Sequence, residues 1–130
     1  MPMTGSGYRE SIEIDIRSLG GVTVVALTGD LDTKTSRAVR SEVLPLAEPG
    51  DKIIIDLSEV AYMSSAGLRF LLSLYRHSSN QSGTLILVGI SEEIRDTMEV
   101  TGFLDFFTAC NTVEEAMKEI GEIGEIGAAP

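Results

Sequence analysis

The sequence predicts an α/β domain built on a mixed sheet of four to five strands with about four helices. Three observations lead there. Ile53, Ile54, Ile55 and Leu57 form a near-continuous apolar run, the pattern of a strand covered on both faces in a parallel sheet. From Leu68 the period changes, with Leu68, Leu71, Leu72 and Tyr75 spaced along one helical stripe. Near the start, Ile12, Ile14 and Ile16 alternate with Glu13, Asp15 and Arg17, which is the period of a half-exposed strand.

Taken in order, Gly20-Gly21 reads as a hairpin turn, since both residues reach positive φ without a Cβ penalty, and Val22 to Thr28 returns as an antiparallel partner of the first strand. Gly29-Asp30-Leu31-Asp32-Thr33 ends that strand. Asp32 or Thr33 can cap a helix whose buried side is Val39, Val43, Leu46 and Ala47, and Pro45 frays or kinks its end. Strand 53–57 follows, then a helix from about Ser65 to Ser79, stopped near Asn80 and Gly83. Thr84 to Val88 is a further strand. Ser91 caps a third helix containing Ile94 and Met98 and ending at Gly102. Phe103 to Phe107 is apolar enough for a short strand or a packed turn. Thr112-Val-Glu-Glu115 is a capping box before a last helix that buries Val113, Ala116, Met117 and Ile120. Residues 10–120 thus form one domain, between an N-terminal segment 1–9 and a Gly-Glu-Ile tail 121–130, both expected to be flexible.

The length of 130 residues suits a single hydrophobic core, and 43% apolar residues with no Trp give it an aliphatic character. The formal net charge is −10, with ten Asp or Glu against two Lys or Arg in residues 91–130. Such a surface repels nucleic acid and anionic membranes; it suits either solubility or a basic partner. No apolar run approaches the ~18 residues of a membrane span and Met1 to Gly7 has no signal-peptide pattern, so a cytoplasmic protein without membrane insertion is expected. Cys110 is the single cysteine, expected as a reduced, at least partly buried thiol.

The chemistry concentrates at Ser64-Ser65, where the helix after the apolar strand begins. Unpaired N–H groups and the positive dipole end there favour a serine oxygen as cap and equally a phosphate. A hydrolase nucleophile is excluded on distance: the only histidine, His77, lies twelve residues further along the same helix, about 18 Å away at about 1.5 Å per residue. His77 itself reads as a solvated residue near the helix end. Asp30, Asp32 and Asp56 suggest a carboxylate cluster, yet a helix cap for Asp32 and a loop-backbone bond for Asp56 explain them without a cation. Neither metal nor cofactor is expected.

These motifs resemble the STAS domain family, and specifically the bacterial anti-sigma factor antagonists, over roughly residues 10 to 120. Gly29-Asp30-Leu31-Asp32 is similar to the family's Gly-Glu-Leu-Asp signature. Ile55-Asp56-Leu57-Ser58 with Tyr62-Met63-Ser64-Ser65-Ala66-Gly67-Leu68 resembles its strand and phosphosite, and Leu87-Val88-Gly89 its next strand end. Many members read Met-Asp-Ser-Ser-Gly-Leu at the phosphosite; aligning the glycines puts Ser65 on the phosphorylated serine and Ser64 on the aspartate. Ser65 is therefore the first choice as acceptor and Ser64 the second.

The resemblance implies a STAS fold and a partner-switching cycle. The unmodified protein would bind an anti-sigma factor with serine kinase activity, releasing a sigma factor; phosphorylation would end the binding and a serine phosphatase would restore it. The protein would then be ligand and substrate, not enzyme. The implied partner surface comprises Asp30, Asp32, Ser58, Met63, Ser64, Ser65 and Arg69. Arg69, four residues after Ser65 on the same helical face, pairs with a phosphate, meets an acidic patch of the partner, or is merely solvated. The alternative is an accessory or regulatory STAS subunit of a membrane transport complex, working without phosphorylation.

Overall fold

The computed structural model describes Tyr8–Arg9 and residues 12–128, with side chains from 12 to 121. In chain order the elements are β1 (Tyr8–Arg9), β2 (Ile12–Leu19), β3 (Val22–Gly29), α1 (Thr33–Val43), β4 (Lys52–Glu59), α2 (Ser65–Asn80), β5 (Thr84–Val88), α3 (Glu92–Thr101), β6 (Thr108–Cys110) and α4 (Val113–Ala128). The strands lie in the sheet in the order in which they occur in the chain. β1, β2 and β3 are antiparallel neighbours, while β3, β4, β5 and β6 run parallel. The mixed sheet is as the sequence reading expects, with the two-residue β1 added at one edge.

Alternation along each strand divides the interior into two layers. Val25, Leu27, Ile53, Ile55, Leu57, Leu85 and Leu87 point to one side, where Val39 and Val43 of α1, Leu68, Leu71 and Leu74 of α2, and Ile94 and Met98 of α3 cover them. Val22, Val24, Ile54, Ile86 and Val88 point to the other and are covered by Ala116 and Ile120 of α4. The continuous isoleucine run of β4 follows from this, because its neighbours on both faces are helices. β2 lies outside the cover of α4, and its Glu13, Asp15 and Arg17 are exposed.

Several local expectations are met in detail. Gly20 and Gly21 adopt φ of +57° and +82° and close the β2–β3 hairpin. α1 ends at Val43, and Leu44–Leu46 tightens to a 3-10 turn around Pro45, whose ring removes a helical donor. Ser91 caps α3 by accepting from the Ile94 amide. In the Thr112–Glu115 box, Thr112 Oγ1 accepts from the Glu115 amide at 3.1 Å, while Glu115 Oε1 accepts from Asn111 N at 2.9 Å. The return bond has moved one residue upstream of the usual pattern.

Other elements differ from the sequence reading. Phe103–Phe106 is a 3-10 turn, the packed-turn alternative of that reading, and the short strand lies beyond it at Thr108–Cys110. The turn is held by aromatic packing: the Tyr75 ring lies 5.6 Å from that of Phe107, edge-on, and 6.2 Å from that of Phe106. Tyr8–Arg9 pairs with Ile12 and Glu13, so a strand begins inside the segment 1–9 that was set apart. α4 continues through Ala128 and takes in most of the Gly-Glu-Ile tail, because glycine lowers helix propensity without forbidding the conformation. His77 is half-buried: its Nε2 lies 3.1 Å from the Ala47 carbonyl oxygen and 2.8 Å from Gln81 Nε2, which ties the end of α2 to the loop after α1.

Candidate functional site

β3 and β4 are parallel neighbours, and the chain leaves both at the same end of the sheet to start α1 and α2. Two backbone hydrogen bonds join the connecting loops: Leu31 N donates to the Tyr62 carbonyl at 2.9 Å, and Ser64 N donates to the Leu31 carbonyl at 2.9 Å. Leu31 and Met63 thereby form a single parallel bridge. Both side chains are buried, at 0% and 9% exposure. Asp30 and Asp32 on one loop are thus fixed beside Ser64 and Ser65 on the other.

Each loop ends in a helix cap. The Asp32 carboxylate accepts from the amides of Lys34 (3.1 Å) and Thr35 (3.0 Å), and Thr35 Oγ1 accepts in return from the Asp32 amide at 2.8 Å. The buried Thr35 hydroxyl also donates to the Asp30 carbonyl at 2.7 Å, so one side chain fixes both acidic residues. These bonds to the ionised carboxylate, the Thr35 amide foremost, hold Asp32 below its ordinary pKa against the opposing effect of burial. Asp32, not Thr33, is the cap.

At α2 the two serines have separate tasks. Ser64 is in extended conformation, and its hydroxyl accepts from the amides of Ala66 (3.2 Å) and Gly67 (3.4 Å). Ser65 is the first helical residue and is exposed. It stands at the positive end of the helix dipole, beside a first turn whose amides Ser64 already caps.

Gly67 explains how the two loops approach so closely. A Cβ there would lie 2.7 Å from the Leu31 carbonyl oxygen and 2.7 Å from Met63 Cγ, inside any tolerable contact. The bridge between the loops and the start of α2 therefore requires a residue without a side chain.

The remaining residues named from the sequence fall around this centre. Asp30 and Arg69 are exposed, and the Arg69 side chain makes no ion pair among the described residues. Ser58 is exposed but held toward β5: its amide and hydroxyl both donate to Asp56 Oδ1, and its Cβ faces Gly89. Asp30, Asp32 and Asp56 do not converge, and no cluster suited to a metal ion exists among the described residues. Thr35 is not among the residues named from the sequence, although the Asp32-to-Thr35 spacing is that of a capping box; Gly67 and the exposed Tyr62 appear there only as part of the phosphosite motif, without a role of their own.

A family model described as STAS domain matches residues 13–116. The chain is 26% identical over 81% of its length to a putative anti-sigma factor antagonist, BtrV, of Bordetella bronchiseptica, covering 91% of that protein. It is 30% identical over 73% of its length to the anti-sigma-B factor antagonist of Bacillus subtilis, covering 87% of it. The fold also matches unphosphorylated SpoIIAA, an anti-sigma factor antagonist, with a TM-score of 0.70 at 20% identity, over 82% or more of each chain when the phosphorylated form (TM-score 0.65) is included. With the domain signature spanning both capped loops, the chain belongs to the STAS domain family.

Proposed function

We propose that the unmodified chain binds an anti-sigma factor that is also a serine kinase, freeing a sigma factor, and that phosphorylation of Ser65 ends the binding until a serine phosphatase reverses it. The observation that carries this reading is the division between the serines: Ser64 is engaged as the cap of α2, whereas Ser65 beside it is exposed. A kinase can take Ser65 without unravelling the helix. The γ-phosphoryl group of ATP passes to Ser65 Oγ with ADP as leaving group, the chemistry being the kinase's; this chain is the substrate.

A phosphate adds about −1.5 to −2 charge at neutral pH. On Ser65 it stands on a surface that already carries Asp30 and Asp32 on the adjoining loop. Placing it in an interface built for the neutral hydroxyl costs on the order of 2–5 kcal/mol. At about 1.4 kcal/mol per tenfold, that weakens binding by roughly thirtyfold or more, with no change of fold needed. The relatives named as antagonists, and the solution of SpoIIAA in both phosphorylated and unphosphorylated forms, support this reading. Asp30, Ser58 and Arg69 form the outer part of the partner surface, and Asp32, Met63 and Ser64 hold its geometry. The cycle runs in the cytoplasm.

The test is the complex with the anti-sigma factor kinase of the same organism, followed by size-exclusion chromatography before and after ATP. ATP dissolves the wild-type complex and leaves that of Ser65→Ala intact. Release of Ser65→Ala by ATP would overturn Ser65 as the switch.

A further inference from the structure

The loop that leads into α2 and the face of α3 border a hollow of about 100 Å³. Its apolar walls are Met63, Leu68 and Ile94, each buried to at least nine-tenths; Tyr62, Glu93 and Thr97 stand around its mouth. At about 30 Å³ per water it holds roughly three waters, the bulk of one aliphatic side chain. Met63 lies two residues before Ser65 and Leu68 three residues after it, so two of the walls flank the phosphoacceptor in the chain.

Two features say what fills it. Tyr62 is 55% exposed, although its carbonyl is held by the hydrogen bond from the Leu31 amide. A rigidly held, exposed aromatic beside a small apolar hollow is the usual composition of an interface anchor point. The rim is acidic: Glu93 lines the mouth and Glu92 is exposed beside it in the first turn of α3. An apolar floor with a carboxylate at its edge complements an aliphatic side chain followed or preceded by a cation.

We propose that this hollow receives an aliphatic side chain of the anti-sigma factor and that Glu93 pairs with a neighbouring Lys or Arg of the same segment, which makes α3 a specificity-determining part of the interface. The inference rests on the partner-switching reading above. Phosphorylation at Ser65 then acts at the margin of an anchored contact.

Binding of the purified anti-sigma factor kinase of the same organism to the full chain, measured by calorimetry, tests it. Thr97→Trp fills the hollow from an exposed position and Glu93→Lys reverses the rim charge; Glu99→Lys makes the same charge change on α3 away from the hollow. Thermal melts confirm that each variant is folded. Thr97→Trp and Glu93→Lys are each expected to weaken binding tenfold or more, with Glu99→Lys within twofold of wild type. If Ser65→Asp weakens binding while Thr97→Trp and Glu93→Lys stay within twofold, the hollow is not part of the interface and the switch reading stands. If the two hollow variants weaken binding while Ser65→Asp does not, the anchor is supported and the phosphoserine reading fails.

Discussion

Leu31 and Met63 form a one-residue parallel bridge that joins the ends of two neighbouring strands, with 2.9 Å hydrogen bonds on both sides of Leu31. Through it the acidic loop before α1 and the serine loop before α2 become one surface. Its dependence on Gly67 gives the first prediction. Alanine would improve helix propensity by about 1 kcal/mol, but its Cβ would sit 2.7 Å from the Leu31 carbonyl oxygen. Overpacking costs typically about 1–3 kcal/mol and here meets backbone, which cannot rotate away. Gly67→Ala is expected to lower the urea midpoint; an unchanged or higher midpoint would show that the loops part freely.

The two serines should separate in stability measurements. Ser64→Ala removes the cap of α2 and should cost about 1 kcal/mol. Ser65→Ala, at an exposed position, should stay within about 0.5 kcal/mol of wild type. Equal losses in chemical denaturation would contradict the assignment of Ser64 as the capping residue.

Acid should find Asp32. Its pKa in the folded protein is lowered, chiefly by the Thr35 amide, so the unfolded chain takes up the proton first. The stabilisation is therefore fully present above the ordinary carboxylate range near 3.8 and is lost as pH falls through the lower folded value. Asp32→Asn keeps an acceptor for the Lys34 and Thr35 amides. It should match wild type in strong acid and fall below it at neutral pH, and a constant difference across that range would argue against the ionised cap.

Cys110 should be a slow thiol. Burial raises its pKa, and the carboxylates of Glu119 and Glu115 add to the shift. The thiolate is the reactive form, so iodoacetamide at pH 8 should modify Cys110 more slowly than free cysteine. Faster reaction would mean that the surroundings of Cys110 are open and electropositive.

Much of this architecture was legible because it depends on local pattern. The isoleucine run of β4, the alternation of β2 and the helical stripe from Leu68 each report their own surroundings. Asp32, Ser64 and Ser91 could be read as caps because capping is decided within a few residues. What escaped depends on contacts distant in sequence. His77 gains Ala47 only when α2 packs beside α1, and Gly67 matters only because Leu31 arrives opposite it. The pairing of Tyr8–Arg9 is too short to carry a period.

The most direct measurement is phosphopeptide mapping of the protein from its native cells. Trypsin cuts after Lys52 and Arg69 and releases one peptide carrying Ser58, Ser64 and Ser65, whose fragment ions distinguish the three. The phosphate is expected on Ser65. Phosphate on Ser64 with Ser65 unmodified would contradict the division of tasks between cap and acceptor, and no phosphate in any growth condition would contradict the switch.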